Sequence, residues 1–332
     1  MVIQILLFLV GFVCLVKGGD WFVDASTGIA HRFHMPEILI GATVVSIGTT
    51  IPEVMVSATG AITGGDGGSA IAYGNAIGSI ICNTSLIAAI TMAFRPAPVE
   101  KKSIKVPIIF FFCAAAFYVG VAYITGYFSR IVGVILLAGF VAYIILCIKQ
   151  AKASATASTA NDVSDNTEND EKSSPVWKDI LFLILGAAVI AVGANLLVDN
   201  GTKIAETVGV PHTVIALTFV ALGTSLPELV TAITSLIKGH SDLSLGNIIG
   251  ANLFNLVLVS GVATTLAPFK VPCEKTFLDT GMNSSLLIDI PLMLIVMLIM
   301  CLPPLIKGKI YRWQGILLMV MYFSFCIYQF VL

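Results

Sequence analysis

The chain carries one hexapeptide motif twice, once in each half, and each copy lies inside a long apolar run. The copies are Gly48–Glu53 (GTTIPE) and Gly223–Glu228 (GTSLPE). The surrounding runs, Glu37–Gly64 and His212–Gly239, are each long enough to cross a bilayer. A carboxylate at that depth costs roughly 2.5–3.5 kcal/mol on insertion scales, so the motif predicts a functional acid. The glycine, hydroxyl residues and proline before it predict that each helix breaks there.

Composition restricts the class of protein. The chain has 332 residues, of which 57% are hydrophobic and 11% charged, and its mean hydropathy is +0.97. Because soluble proteins average about 25% charged residues, these values indicate a polytopic membrane protein. The net charge of −1 and the lack of a basic patch predict no nucleic-acid partner. The seven cysteines are scattered without a CxxC pair, which predicts neither disulfides nor a zinc site.

Apolar runs of about 20 or more residues predict an all-α protein with ten membrane spans. These are Ile3–Ala30, Pro36–Thr63, Ser69–Phe94, Ile104–Ile124, Tyr127–Ile148, Trp177–Glu206, Pro211–Lys238, Asp242–Ala267, Ser284–Leu305 and Tyr311–Leu332. Residues 149–176, rich in Ala, Ser, Thr, Asn and acids, have too little apolar surface to fold and are predicted to be a flexible linker.

The halves of the chain, 1–148 and 177–332, are copies of each other. A shift of 175 residues superposes Gly11 on Gly186, Gly18 on Gly193, Asp24 on Asp199, Pro36 on Pro211 and Glu53 on Glu228. After a loss of three residues, Gly74–Gly78 falls on Gly246–Gly250. Five spans per copy is an odd number, so the second copy enters the membrane from the opposite face. The prediction is two inverted five-helix repeats.

The basic residues predict the orientation of the chain. Most of the 18 Lys and Arg residues lie in the segments that share a side with the linker. The positive-inside rule therefore predicts a multi-pass protein of the cell membrane, with the linker cytoplasmic and both termini outside.

The residues around each glutamate supply oxygen ligands. They are Thr49, Thr50, Thr224 and Ser225, the carbonyls of Ser46 and Ala221, and Ser79, Asn83, Asn247, Asn252 and Asn255 from the next span of each repeat. Carboxylate, hydroxyl, amide and carbonyl oxygens suit hard cations such as Ca²⁺ and Na⁺. No His or Cys stands at a ligand spacing, which argues against zinc or copper.

Two structural interpretations compete with a cation site. Thr50 with Glu53, and Ser225 with Glu228, fit a capping box that would start a helix. The Gly-x-x-x-Gly runs are typical of close helix packing, and for the glycines that interpretation is preferred.

The paired motifs, G-[TS]-[TS]-x-P-E followed by G-N-x-x-G-[SA]-x-x-x-N, resemble the α-repeats of the cation/calcium exchanger superfamily, and most of all its compact microbial sodium/calcium exchangers. The resemblance implies ten helices, with ions bound between the second, third, seventh and eighth. It implies a calcium site from Glu53, Glu228 and the carbonyls of Thr49 and Thr224. It implies flanking sodium sites from Ser46, Thr50, Ser79, Ala221, Ser225 and Glu228, with Asn83 and Asn255 lining the middle.

The chain departs from that family pattern at two positions. Ala251 stands where some members have Ser, so one sodium site is expected to lose a hydroxyl ligand. Asn255 stands where many members have Asp, notably in the potassium-dependent branch, which disfavours potassium co-transport.

The predicted function is therefore secondary antiport of Na⁺ against Ca²⁺ by alternating access, with no enzymatic activity and no tightly bound cofactor. The predicted partners are the transported ions and the lipid bilayer, and a monomer is expected. The alternatives are a proton/calcium antiporter, a transporter of another divalent cation such as manganese, an intramembrane hydrolase using Ser225 or Thr50, and a passive channel.

Overall fold

The computed structural model describes residues 1–33, 35–63, 65–161, 175–208, 223–272 and 283–331, and these are almost entirely helical. The helices are α1 (Val2–Arg32), α2 (Glu37–Ile40), α3 (Ser46–Thr63), α4 (Gly65–Cys82), α5 (Ala89–Phe94), α6 (Lys101–Ile124), α7 (Arg130–Asn161), α8 (Val176–Thr207), α9 (Leu226–Lys238), α10 (Ser241–Phe254), α11 (Ser260–Leu266), α12 (Ile290–Lys307) and α13 (Arg312–Val331). Wider, π-helical turns at Gly41–Val45, Asn83–Ala88, Asn255–Val259 and Ser285–Asp289 join or precede some of them. Two short strands are β1 (Tyr127–Phe128) and β2 (Phe269–Lys270).

Eight helices in the described part of the chain are long and apolar enough to cross a membrane. They correspond to the first six predicted spans and to the eighth and ninth. The tenth predicted span forms α13, which is not one of the eight. Much of the seventh predicted span lies outside the described residues, which resume at Gly223 and include α9.

The described chain divides into two compact units, and the first comprises Met1–Thr49 and Leu146–Asn247. Its centre is the packing of α1 against α8. A Cβ built on Gly11 would meet the Gly193 carbonyl at 2.9 Å, and one built on Gly18 would meet the Gly186 carbonyl at 3.0 Å. As the residue number rises along α1, that of its neighbour on α8 falls, so the two helices run antiparallel. Small residues at such a contact allow two membrane helices to approach backbone to backbone.

The second unit comprises Thr50–Ile145 and Ile248–Leu332. Its two strands pair antiparallel, with Tyr127 opposite Lys270 and Phe128 opposite Phe269. The ring of Phe128 lies 4.6 Å from that of Tyr118 and 5.4 Å from that of Phe269. This aromatic cluster joins the end of α6 to the strand pair.

The start of the predicted linker differs from the expectation. Helix α7 continues to Asn161, whereas the fifth span was expected to end at Ile148. The extension is rich in alanine, which has the best helix propensity, so local propensity prolongs the helix where little apolar surface remains. Linker residues 162–174 lie outside the described residues.

We expect Gly18→Ala to destabilise the protein, because the added methyl would meet the Ile190 amide nitrogen at 2.9 Å and the Gly186 carbonyl. Overpacking of this kind costs about 1–3 kcal/mol. The measurement is the midpoint of thermal unfolding in detergent, which should fall by several degrees.

Gly139→Ala in α7 is the matched control, since a Cβ built there meets no described atom within 4 Å beyond the backbone of its own helix. There the change should leave the midpoint unaltered or raise it, because alanine favours helix over glycine by about 1 kcal/mol. Equal midpoints for both variants would contradict the close contact of α1 and α8.

Candidate functional site

The first copy of the motif lies in a continuous helix, which corrects the predicted break. Helix α3 runs through Pro52 without interruption, and the irregular turn lies earlier, at Gly41–Val45. Pro52 has no N–H to donate to the carbonyl of Gly48, so that carbonyl loses its regular helical partner while the helix continues. A membrane helix tolerates such a proline where neighbouring groups satisfy the freed carbonyl. The Glu53 side chain is fully buried.

The second copy is interrupted, as predicted. Thr224 and Ser225 form a turn, and α9 begins at Leu226 with Pro227 in its first turn. Ser225 makes no side-chain capping bond, so the capping box with Glu228 is not formed. The Ser225 hydroxyl has no hydrogen-bond partner among the described residues. Glu228 is fully buried in the first turn of α9, where the helix dipole favours a negative charge.

In the first unit the amide of Asn247 holds two helical segments together. The Ser46 hydroxyl lies 2.7 Å from the Gly41 carbonyl, 2.9 Å from the Asn247 carbonyl and 3.2 Å from Asn247 Oδ1. The Thr49 hydroxyl lies 3.3 Å from the same Oδ1. On its other side, Nδ2 of Asn247 donates to Thr231 Oγ1 at 2.9 Å. The Thr231 hydroxyl lies 3.0 Å from the Glu228 carbonyl. One side chain therefore fixes the segments that carry Thr49 and Glu228.

Close backbone packing brings Asn247 to this position. A Cβ on Gly246 would overlap the carbonyl of Ile38, and a Cβ on Gly41 would overlap the carbonyl of Leu243. Only glycine at these two positions lets α10 approach α2 and the following turn so closely. The expectation that the glycines serve packing is confirmed at Gly246. At Gly74 and Gly78, no described atom lies within 4 Å of an added Cβ.

In the second unit Asn75, the counterpart of Asn247, secures the glutamate of the first copy. Its Nδ2 donates to the Glu53 carbonyl at 3.1 Å and to the Ser57 hydroxyl at 2.8 Å. Both bonds go to α3, so Asn75 fixes α4 against the turn of α3 that carries Glu53. Because a net hydrogen bond is worth about 0.5–1.5 kcal/mol, these two bonds stabilise the contact of α4 with that turn of α3.

The matching asparagines of the two copies each begin a π-helical turn. Asn83 opens the turn after α4, and Asn255 opens the turn after α10. Such wide turns occur mostly as single-turn bulges and frequently at functional sites. Both side chains are fully buried, and neither amide has a hydrogen-bond partner among the described residues. Since buried polar groups are normally bonded, these two amides are available to a ligand.

The structure distributes the predicted site residues over the two units. The first unit contains Ser46, Thr49, Thr224, Ser225 and Glu228, and the second contains Thr50, Glu53, Ser79, Asn83, Ala251 and Asn255. All of these except Thr224 are buried. Ala221 lies outside the described residues. The meeting of Glu53 and Glu228 on one ion stays a prediction.

The sequence did not predict three groups that organise the site. These are the hydroxyls of Thr231, Ser57 and Thr84. They accept hydrogen bonds from the side-chain amides of Asn247, Asn75 and Asn252, respectively, the last at 2.7 Å. The available signal was the repeated Gly-Asn pair at 74–75 and 246–247, whose asparagines carry the hydrogen bonds. The threonine and serine partners lie one helical turn beyond each glutamate, on the same helix face.

The chain is similar to known proteins over most of its length. A family model described as sodium/calcium exchanger protein matches residues 3–149 and 178–331. The sodium/calcium exchanger MaX1 of Methanosarcina acetivorans is 31% identical over 364 residues, with 99% of each chain covered. The inner membrane protein YrbG of Escherichia coli is 34% identical over 278 residues, with 82% of each chain covered.

Solved structures show the same fold. The sodium-calcium exchanger NCX_Mj soaked with 10 mM Na⁺ and 10 mM Sr²⁺ superposes with a TM-score of 0.78 at 31% identity, over 98% of both chains. A second structure of that exchanger, soaked with 2.5 mM Na⁺ and 0.1 mM Ca²⁺, gives a TM-score of 0.75. The family match spans most of the chain, and the chain belongs to the sodium/calcium exchanger family of multi-pass membrane proteins.

Proposed function

We propose that the chain exchanges Na⁺ for Ca²⁺ across the membrane by alternating access. The observation that carries this function is a fully buried glutamate in each repeat. Buried polar side chains that lack hydrogen-bond partners among the described residues accompany these glutamates. The open groups include the hydroxyls of Thr50 and Ser225, which have no hydrogen-bond partner among the described residues. Buried polar groups without partners are costly, and a bound cation would satisfy them.

The ligand chemistry favours Ca²⁺ and Na⁺. In the proposed site Glu53 and Glu228 bind Ca²⁺ together with the carbonyls of Thr49 and Thr224. The sodium sites use Ser46, Thr50, Ser79, Ala221, Ser225 and Glu228, with Asn83 and Asn255 in the middle and Ala251 as the position of a missing hydroxyl. Oxygen ligands of this kind are those preferred by hard cations. The names of MaX1 and NCX_Mj as sodium/calcium exchangers, and the Na⁺, Sr²⁺ and Ca²⁺ soaks of NCX_Mj, support the same ions here.

Charge balance explains the coupling of the two fluxes. Two ionised glutamates carry the charge that one Ca²⁺ neutralises, so a simultaneous load of Ca²⁺ and several Na⁺ would leave excess positive charge in a medium of low dielectric constant. The two ion sets therefore compete for the same carboxylates, and each is released when the other binds.

The architecture of the transporter is proposed as ten helices in two inverted repeats. The antiparallel course of α1 and α8, whose glycines 11 and 18 correspond to 186 and 193, supports this symmetry. Helices α1 and α8 are the proposed moving pair that alternates access to the ions.

Glu53→Gln and Glu228→Gln should each abolish sodium-gradient-driven ⁴⁵Ca²⁺ uptake into proteoliposomes, because each removes one of the two charges that balance Ca²⁺. The matched control is Glu206→Gln, which changes an exposed carboxylate at the end of α8 and should transport like the unmodified protein. Full uptake by both buried variants would refute the site assignment.

The same assay separates the sodium exchanger from the proton/calcium antiporter. Replacing external Na⁺ with potassium, lithium or choline should remove the uptake if Na⁺ is the counter-ion. Uptake driven by a pH gradient in the absence of Na⁺ would assign the chain to proton exchange instead.

Asn247→Ala should weaken apparent Ca²⁺ affinity about tenfold, because Thr49 and Thr231 lose the amide that positions them and one or two net hydrogen bonds are worth roughly 1–2 kcal/mol. The control is Asn200→Ala, a buried asparagine in α8 whose Nδ2 bonds the Leu196 carbonyl of its own helix at 2.7 Å. The readout is the Ca²⁺ concentration at half-maximal uptake. An unchanged value in the Asn247 variant would show that the hydrogen bonds of this amide have no part in ion binding.

We further propose that the linker is cytoplasmic and both termini are outside. In a background without the native cysteines, Thr125→Cys, at the exposed end of α6, should react with a membrane-impermeant maleimide in intact cells. Ser164→Cys in the linker should react only after permeabilisation. The opposite pattern would invert the proposed topology.

A further inference from the structure

Helices α6 and α12 of the second unit form an apolar groove between them. The groove has a volume of about 380 Å³, and its walls include Ile108, Phe112 and Ala116 from α6 and Leu298 and Leu302 from α12. Every lining residue is apolar or a cysteine. The volume lies within the range of roughly 300–1,000 Å³ that is usual for ligand pockets. In a membrane helix pair, such a groove takes hydrocarbon rather than water.

Hydrogen bonds join the start of α6 to the end of α12 at one end of the groove. Lys101 Nζ donates to the Ile306 carbonyl at 2.6 Å, so the start of α6 meets the end of α12. Just before α6, the Val99 amide donates to the Gly308 carbonyl at 2.9 Å, and the Ile310 amide donates to the Ala97 carbonyl at 3.0 Å. These three bonds hold the two helix ends in a fixed relation.

The same end of the groove carries a concentration of positive charge. Exposed basic side chains at this end are Lys102, Lys105, Lys307, Lys309 and Arg312. Lys105 precedes the groove residues Ile108 and Ile109 by three and four positions, so it lies on the same face of α6. Lys309 follows the groove residue Leu305 by four positions, just past the end of α12.

The acidic residues near the groove offset only part of this charge. At the basic end, the Glu100 carboxylate accepts a hydrogen bond from the Ser103 hydroxyl at 2.6 Å, and its single negative charge stands against the five basic side chains. At the other end, α6 finishes at Ile124 and α12 is preceded by Asp289, which receives a bond from Gln329. The groove is therefore apolar along its length and basic at one end only.

We propose that this groove binds an anionic phospholipid, with an acyl chain between α6 and α12 and the phosphate at Lys105 and Lys309. The shape and apolar lining select a hydrocarbon chain, and the lysines select a negative headgroup. A zwitterionic lipid carries a compensating cation that the lysines would repel. A free phosphate ion lacks the chain that fills the groove. The site is separate from the proposed ion ligands and does not depend on the proposed transport function.

The test is the thermal unfolding of the purified protein in detergent, titrated with dioleoyl phosphatidylglycerol, dioleoyl phosphatidylcholine or glycerol 3-phosphate. Phosphatidylglycerol should raise the midpoint by several degrees at concentrations where the other two leave it unchanged. Native mass spectrometry should show one tightly held phosphatidylglycerol. Equal stabilisation by phosphatidylcholine would make the groove an unselective lipid contact, and stabilisation by glycerol 3-phosphate would make the lysines a simple anion site; either result overturns the proposal.

Variants assign the binding to this groove. Lys105→Gln with Lys309→Gln should weaken phosphatidylglycerol binding about thirtyfold, since each basic residue near an anionic headgroup contributes about a factor of five. Lys178→Gln with Lys203→Gln, two lysines of α8, is the control for loss of charge and should bind as before. Ala116→Phe fills the groove without changing charge and should weaken binding while the midpoint without lipid stays the same. Unchanged binding in the first variant, or equal loss in the control, contradicts the assignment.

Discussion

The structure depends on one constraint: a helical membrane protein that buries carboxylate, hydroxyl and amide groups must provide hydrogen-bond partners or ligands for them. Hydrocarbon offers no hydrogen bonds, so each buried carboxylate, hydroxyl and amide must find a partner in the protein or in a ligand. Glu53 and Glu228 are fully buried, and the polar side chains around them are of two kinds. Some, such as Asn247 and Asn75, are bonded to the helices that carry the acids. Others, such as Asn83 and Asn255, make no side-chain hydrogen bond to any described residue. The first kind provides rigidity, and the second provides places for an ion.

The two copies of the motif meet this constraint with different local structures. In the first copy, a π-helical turn lies before the motif and the helix passes through Pro52 unbroken. In the second copy, Thr224 and Ser225 form a turn and a helix begins at Leu226. The asparagine after each motif also differs, because Asn75 donates to the Glu53 carbonyl of α3 while Asn247 joins α3 to α9. A sequence repeat therefore need not produce identical halves, and this asymmetry gives the two glutamates distinct surroundings.

The sequence predicted the positions of the helices well and the irregular turns poorly. Hydropathy places α1 and α8 within a few residues, because a membrane helix requires a long apolar run and little else. The break before Glu53 was predicted from glycine and proline, yet intrahelical bonds and neighbouring helices keep that segment helical. The π-helical turns at Asn83 and Asn255 have no local signal, since they depend on how each helix packs along its whole length. Hydrogen bonds such as that from Asn247 to Thr231 join residues in different helices. Hydropathy and motifs within a single span carry no information about such contacts.

Helices α1 and α8 pack directly against each other in the first unit. Glycines place the two backbones in direct contact, and each repeat contributes one helix of the pair. Buried contact of that kind resists separation of the helices, and the ion pair of 3.0 Å between Arg32 and Asp179 joins the end of α1 to the start of α8. Helix α9 also packs closely on α1, since a Cβ on Gly19 would meet the Val230 side chain at 2.7 Å. The ion pair between Lys238 and Asp24 adds to this contact at 2.7 Å, with two-thirds of the Asp24 side chain exposed. Exposed ion pairs contribute about 0–1 kcal/mol. Helices α1 and α8 therefore form a stable pair through their backbones, whereas the contact of α1 with the glutamate-bearing α9 depends on side-chain packing, to which the exposed ion pair adds little.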